Sequence, residues 1–289
     1  MKSIIVTGCN GQLGRAINKV YAGETDYELI NTDFGIEGIK SVDISDIDSV
    51  MSFVKEVKPY AIINCAAMTA VDMCEVKQDM AYRINALGPR NLAIASSETG
   101  AKLVHISTDY VFAGDGTVPY REFDPTDPRS AYGRTKLAGE EFVKQFSDSF
   151  FMIRTAWLYG DGKNFVRTML RLSEDHEEVS VVDDQIGSPT SSHELASAIK
   201  SLIPTWGYGT YHGTCGGECS WADFTEEIFR LAGKDTKVKH LTSEEYKQMN
   251  PASADRPKFS VLENYMFHLT GGYRFADWHD AIEKYIGEM

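Results

Sequence analysis

Apolar residues along the first half of the chain alternate between two spacings. Ile4, Ile5 and Val6 lie in a short β-branched run over 3–7, and Leu13, Ile17, Val20 and Tyr21 then recur at helical intervals. The same reading predicts a strand over 27–33, a helix over 46–57 and a strand over 60–64. A long helical stretch ending near Gly100 and a strand over 102–107 follow. Ala61-Ile62-Ile63 and Leu103-Val104-His105-Ile106 are nearly unbroken apolar runs, as expected of parallel strands covered on both faces. Repeated strand-helix-strand units of this kind predict an α/β chain built on a doubly wound parallel sheet.

After a proline-bearing loop (Pro119, Pro125, Pro128), a helix is predicted over 131–146 and a strand over 150–154. Beyond it the elements shorten and are interrupted by Gly187, Pro189, Gly207, Gly209, Gly213, Gly216 and Gly217. The division expected is a main domain over 1–157 and a smaller C-terminal lobe over 158–289, with part of the second half returning to the main sheet. No internal repeat is present.

Composition narrows the class. With 43% hydrophobic and 25% charged residues in 289, the chain reads as an ordinary globular protein. A formal net charge of −13 disfavours a nucleic-acid surface or an anionic membrane as partner. Any anionic ligand must therefore meet local cations or backbone amides. No apolar run reaches the length of a signal core or a membrane span, so the expectation is a cytoplasmic protein that does not enter a membrane. Five cysteines suit a reducing compartment. Cys215 and Cys219 form a lone pair without the further ligands of a zinc site, and no metal is expected.

Two motifs carry chemistry. Gly8, Gly11 and Gly14 fall between the first strand and the first helix, where glycines allow a tight turn, close backbone approach to a pyrophosphate, and binding of its charge by free amides at the helix N-terminus. The plainer alternative is a turn without a ligand. Asp33, 19 residues after Gly14, ends the second strand, where a carboxylate can accept from the adenosine ribose hydroxyls. That favours NAD over NADP, although Arg15 could offset a 2′-phosphate. Asp43-Ile44 could flank the adenine, or Asp43 could be a helix cap.

The second motif is Tyr132 and Lys136, four residues apart and so on one helix face. An ammonium beside a phenol favours the ionised phenol, so the tyrosine pKa is expected to fall and ease proton transfer. Thr108 and Asp109 end the strand over 102–107, at the sheet edge where the glycine loop also lies. Their alternatives are a capping hydroxyl and a turn former.

These residues sit in the blocks TGCNGQLG (7–14), NCAAMTAVD (64–72), RINALGPRNLA (83–93), STDYVF (107–112), YGRTKLAGE (132–140), RTAWLYG (154–160), DQIGSPT (184–190) and ADRPKFSVL (254–262). Through them nearly the whole chain resembles the extended short-chain dehydrogenases, and among these the dTDP-4-dehydrorhamnose reductases. The resemblance implies a Rossmann-type sheet and NADP(H)- or NAD(H)-dependent reduction of the C4 ketone of dTDP-6-deoxy-L-lyxo-4-hexulose to dTDP-L-rhamnose, a step towards surface polysaccharide. It further implies Thr108, Tyr132 and Lys136 as the catalytic set, with Tyr132 giving the proton, Lys136 holding the nicotinamide ribose and Thr108 polarising the ketone. Gly11, Gln12, Leu13, Asp33, Asp43, Ile44, Ala67, Met68, Thr69 and Ile106 match cofactor-lining positions, and Asp109 and Trp157 match sugar-lining ones. Trp157 could equally be a core aromatic. Ala16 and His193 stand where some relatives carry glutamates that share a metal across a dimer interface, so a monomer or weak dimer is expected here. Two alternatives share most of these features: another nucleotide-sugar reductase or epimerase of the class, and a non-catalytic dinucleotide-binding subunit like the methionine adenosyltransferase β-subunit.

Overall fold

The computed structural model describes residues 1–289. Its first half runs β1 (Lys2–Thr7), α1 (Gln12–Val20), β2 (Tyr27–Asp33), β3 (Lys40–Ser41), α2 (Ile47–Val57), β4 (Ala61–Asn64), α3 (Val71–Val76), α4 (Gln78–Tyr82), α5 (Gly88–Thr99) and β5 (Lys102–Thr108). After α6 (Ala131–Phe146) and β6 (Phe150–Thr155) come β7 (Leu158–Tyr159), α7 (Phe165–Asp175), β8 (Glu178–Val182), β9 (Ile186–Gly187), β10 (Thr190–Ser191) and α8 (Ser192–Leu202). The chain ends with β11 (Gly209–His212), β12 (Cys219–Ser220), α9 (Trp221–Leu231), β13 (Lys237–Leu241), α10 (Ser243–Met249), α11 (Tyr265–Leu269) and α12 (Trp278–Gly287).

Seven strands form one parallel sheet in the order β11-β6-β5-β4-β1-β2-β3. The chain starts in the middle, runs to one edge, then returns past β1 to build the other half. The two directions part between β1 and β4, which opens a crevice at the carboxyl ends of those strands. Alternate residues of each strand supply the two faces. Ile4, Val6, Ile63 and Ile153 pack with Leu13 and Ile17 of α1 and Leu195 and Ile199 of α8. Ile5, Ile62, Leu103 and Met152 pack with Val50 and Val54 of α2, Leu92 of α5 and Val143 of α6. The apolar face of α1 is thus shared between the sheet and α8.

The long helical stretch before β5 is divided. α3 and α4 meet at Lys77, and a single π-turn over Arg83–Leu87 separates α4 from α5, which closes at left-handed Gly100. Helical spacing alone does not reveal such a break, because apolar residues recur on one side of all three pieces. The smaller lobe has its own core around Tyr159, Val166, Phe224, Ile228, Trp278 and Ile282.

A buried ion pair joins the layer that contains α6 to the sheet. Arg154 of β6 donates from Nε to Glu140 Oε1 of α6 at 2.8 Å and from Nη2 to Oε2 at 2.7 Å, and both side chains are buried. Burial pushes the Glu140 carboxyl up, but the Arg154 guanidinium, with the Ser107 hydroxyl and the Lys144 charge adding to it, holds the acid below its usual range. Removing one partner strands a buried charge, whereas removing both leaves a cavity that apolar side chains can fill. Arg154→Met is therefore expected to lower unfolding stability in urea by about 3 kcal/mol or more, and adding Glu140→Leu to recover at least half of that loss. A double variant no more stable than the single one would show that the stranded charge is not the cause.

Candidate active site

The glycine loop lies at the carboxyl end of β1. Gly8 has φ +61° and a side chain there would lie 2.7 Å from Ala66 N, so both conformation and space require glycine. Gly14 serves a different contact: a Cβ would meet Gly8 O at 2.4 Å and Cys9 Cα at 2.5 Å, so its role is close packing of α1 on the loop. Asp33 accepts from Asn10 N at 3.0 Å and from Phe34 N at 2.8 Å, which fixes the loop from the end of β2. Arg15 is held against Asn10 by two hydrogen bonds of 2.8 Å, from Nε to the main-chain oxygen and from Nη2 to Oδ1. Asp43 does not cap a helix. It accepts from Ser45 N at 2.9 Å and from Ser45 Oγ at 2.8 Å, while Asp46 caps α2.

Below the crevice a buried polar chain ties three strand ends together. Thr7 Oγ1 donates to Asn64 Oδ1 at 2.7 Å, and Asn64 Nδ2 contacts His105 Nδ1 at 3.0 Å. Because Asn64 Oδ1 also accepts from Ala66 N, its NH2 group must face the histidine, which then accepts on Nδ1. Burial, with the Lys136 charge adding to it, keeps the His105 imidazole neutral.

α6 brings Tyr132 and Lys136 over this floor. Ser130 caps the helix by accepting from Gly133 N at 3.1 Å. Gly133 lets the helix press on the turn after β5, since a Cβ there would lie 2.2 Å from Tyr110 O. Tyr132 is half-buried beside Tyr110, ring edge to ring face at 5.3 Å. Lys136 is buried and donates from Nζ to Ile106 O at 2.6 Å. Its pKa is lowered to about 8 by burial, with Glu140 pulling the other way. The expectation of an acidified tyrosine is not met: burial pushes the Tyr132 phenol well up, the Thr108 hydroxyl opposes this, and Asp109 and Tyr110 add to it. Desolvation of the anion outweighs any pull from an ammonium whose Nζ is bound to a strand carbonyl. Tyr132 therefore keeps its proton.

Thr108 accepts from Tyr110 N at 3.3 Å and donates to Asp109 Oδ1 at 2.8 Å. Asp109 is buried and its Oδ2 has no partner. Burial raises its carboxyl to about 6, and the hydroxyls of Thr108 and Ser260 pull it back only part of the way.

Two adjoining cavities gather most of the candidates. The first holds Gly8, Gly11, Asp33, Asp43, Ile44 and Ala67, together with Phe34, Met80 and Arg83. The second encloses about 1190 Å³ and brings Gly11, Gln12, Leu13, Ala67, Thr69, Ile106, Thr108, Asp109, Tyr132, Lys136 and Trp157 to one space. Met68 is not among them. Its main chain is bound by Asn85, 2.8 Å at N and 3.0 Å at O, and its side chain packs on Cys74, Ala81 and Ala131. Trp157 is neither a free platform nor a core residue: it is half-buried, stacks on Trp221 with centroids 3.5 Å apart, and keeps part of its surface for the cavity. Val71 and Arg83, which lie in the blocks 64–72 and 83–93, and Trp221, which lies outside every block, also line these cavities.

The donor set fits a nicotinamide dinucleotide. The glycine cradle excludes side chains where a pyrophosphate backbone would lie, Gln12 Oε1 is buried without a partner, and Asp33 stands at the mouth. No helix is long and apolar enough to cross a membrane.

A family model described as the RmlD substrate binding domain matches residues 1–289. A solved dTDP-4-dehydrorhamnose reductase from Clostridium acetobutylicum is 50% identical to this chain, with a TM-score of 0.94 and 99% of each chain covered. The same enzyme of Bacillus anthracis, solved in complex with NADP, is 43% identical with a TM-score of 0.94, covering 100% of this chain and 99% of its own. The Bacillus subtilis spore coat polysaccharide biosynthesis protein SpsK is 40% identical over 289 residues, 100% of this chain and 98% of that protein.

The raised Asp109 carboxyl has a measurable consequence. A buried acid whose pKa is higher in the folded state costs stability only once it ionises, so the cost grows as pH rises from the usual 3.8 through about 6. Asp109→Asn removes that cost and is expected to raise unfolding stability by about 3 kcal/mol near pH 8, and by clearly less near pH 5. Urea midpoints at the two pH values check this, and an equal gain at both would refute it.

Proposed function

This chain belongs to the RmlD family, the dTDP-4-dehydrorhamnose reductases, and we propose that it reduces the C4 ketone of dTDP-6-deoxy-L-lyxo-4-hexulose to dTDP-L-rhamnose with NADPH or NADH. The observation that carries the site assignment is the meeting of Thr108, Tyr132 and Lys136 in one cavity that also receives the glycine loop. The nicotinamide, when bound, supplies the hydride for C4.

Tyr132 is the proton donor. Reduction leaves charge on the ketone oxygen, and a phenol that burial keeps protonated can surrender its proton to that alkoxide, a much stronger base. Thr108 has a single hydroxyl proton and spends it on Asp109, so ketone and carboxylate compete for it. Lys136 uses one N–H on Ile106 O and keeps the others for ribose hydroxyls beside the nicotinamide. Gly8, Gly11, Gln12 and Leu13 would hold the pyrophosphate, and Asp33 the adenosine ribose. Tyr132→Phe is expected to bind NADPH as the parent does, and to lose about a hundredfold or more in turnover of the nucleotide-sugar, read by loss of NADPH absorbance and identification of the product. Turnover within about threefold of the parent would remove Tyr132 from the proton-donor role.

The proposed assembly is a monomer or weak dimer that needs no metal. The buried Ala16 has no side-chain oxygen to offer a metal, and His193 offers an imidazole nitrogen rather than a carboxylate. Sedimentation with and without a chelator is expected to give the same small mass. A stable dimer that dissociates on chelation would overturn this reading.

A further inference from the structure

Trp157 is one of two residues other than glycine with positive φ, at +48°. A bulky side chain in that region is strained, and persists only where its surroundings over-determine it. Three contacts do so. Trp221 lies parallel to the Trp157 indole, 3.5 Å between centroids and 6° between planes. On the strand side, Gly187 comes so close that a Cβ would lie 2.4 Å from Trp157 Cε2. The main chain is pinned as well, since Trp157 O accepts from Thr190 N at 3.2 Å.

Trp221 is itself held from behind. It is the first residue of α9, whose start is fixed by a reciprocal capping box between Ser220 and Asp223. Phe165 packs against it at 4.4 Å, and Phe165 in turn stacks on Phe224 in the core of the smaller lobe. An aromatic series thus runs from that core through Trp221 to Trp157 and ends in the cavity that holds Tyr132, with both tryptophans lining it.

We infer that Trp221 is a positioning residue for the nucleotide-sugar: by backing the strained Trp157 it sets one wall of the pocket that also holds Tyr132, and so determines how tightly the pyranose is gripped. The inference rests on the reading of Trp157 as a sugar-lining residue. An aromatic face recognises the apolar face of a pyranose only if its plane is fixed, because each unconstrained indole orientation must be frozen on binding. The ring contacts of the series run to Phe165 and Phe224 of the smaller lobe, away from β1 and β2 that carry the glycine loop and Asp33. The dependence on Trp221 is therefore confined to the sugar.

Trp221→Ala is expected to raise the KM for dTDP-6-deoxy-L-lyxo-4-hexulose by about tenfold or more, with kcat and the KM for NADPH within about threefold of the parent. Trp221→Phe, which keeps a flat ring against the indole, should restore the KM to within about threefold. The far-ultraviolet exciton couplet of the stacked pair should vanish in Trp221→Phe and in Trp157→Phe alike, which reports the stack independently of turnover. If Trp221→Ala fails to fold, Trp221→Leu carries the same comparison. Unchanged sugar KM in Trp221→Ala or Trp221→Leu, or equal losses for sugar and cofactor, would overturn the inference. Trp157→Ala separates the two levels: unchanged sugar KM there removes Trp157 from the sugar pocket, whereas a raised KM there with no effect at Trp221 defeats only the backing role.

Discussion

The position of the chemistry rests on the buried pair between Arg154 and Glu140. Glu140 lies one helical turn beyond Lys136 and two beyond Tyr132, so its grip on β6 sets both the height and the rotation of α6 against the sheet. A helix held only by apolar contacts can slide by small amounts at little cost, whereas a bidentate guanidinium-carboxylate contact has one good geometry. The same strand continues into Thr155 and Trp157. One ion pair therefore references Tyr132 and Lys136 on the helix and the wall after the strand to a common frame.

Within that frame the electrostatics run towards neutrality. Burial lifts Tyr132 and Asp109, lowers Lys136 to about 8 and keeps His105 uncharged. A chain carrying −13 overall thus surrounds a pocket in which burial shifts Tyr132, Asp109, Lys136 and His105 each towards its uncharged form. A phenol that stays protonated suits a reaction that creates charge on a ketone oxygen, because the proton that quenches the charge is already in place. The tendency also explains why the spacing of Tyr132 and Lys136 misleads about acidity: four residues along a helix report adjacency, but not how much water the neighbours exclude.

Much of the fold was legible in the sequence. Strands 27–33 and helix 131–146 fall where the pattern places them, because β-branched runs and helical spacing are local signals. The glycine loop, Asp33, Thr108, Tyr132 and Lys136 were readable because each sits at a strand end or on a regular helix. What was not readable depends on contacts between distant segments. Trp221 reaches the cavity from 64 positions beyond Trp157, Met68 turns away because Asn85 binds its main chain, and the π-turn at Arg83–Leu87 leaves the apolar period nearly intact. Asp43 could not be told from a cap until its bonds to Ser45 were visible.

The seventh strand carries a consequence for how the protein is made. β11 pairs with β6, yet 53 residues, including α7 and α8, lie between them in the chain. During synthesis β6 leaves the ribosome long before its partner and remains an open edge, lined by Phe151 and Ile153, until His212 has emerged. α8, which covers the far side of α1, is likewise late. The half of the chain that ends with β6 cannot complete its core on its own during translation, and a fragment ending at residue 157 would expose an adhesive strand. For engineering, exchange of the lobe must therefore be designed as an insertion between β6 and β11, with β11 kept on the host, rather than as replacement of a C-terminal tail.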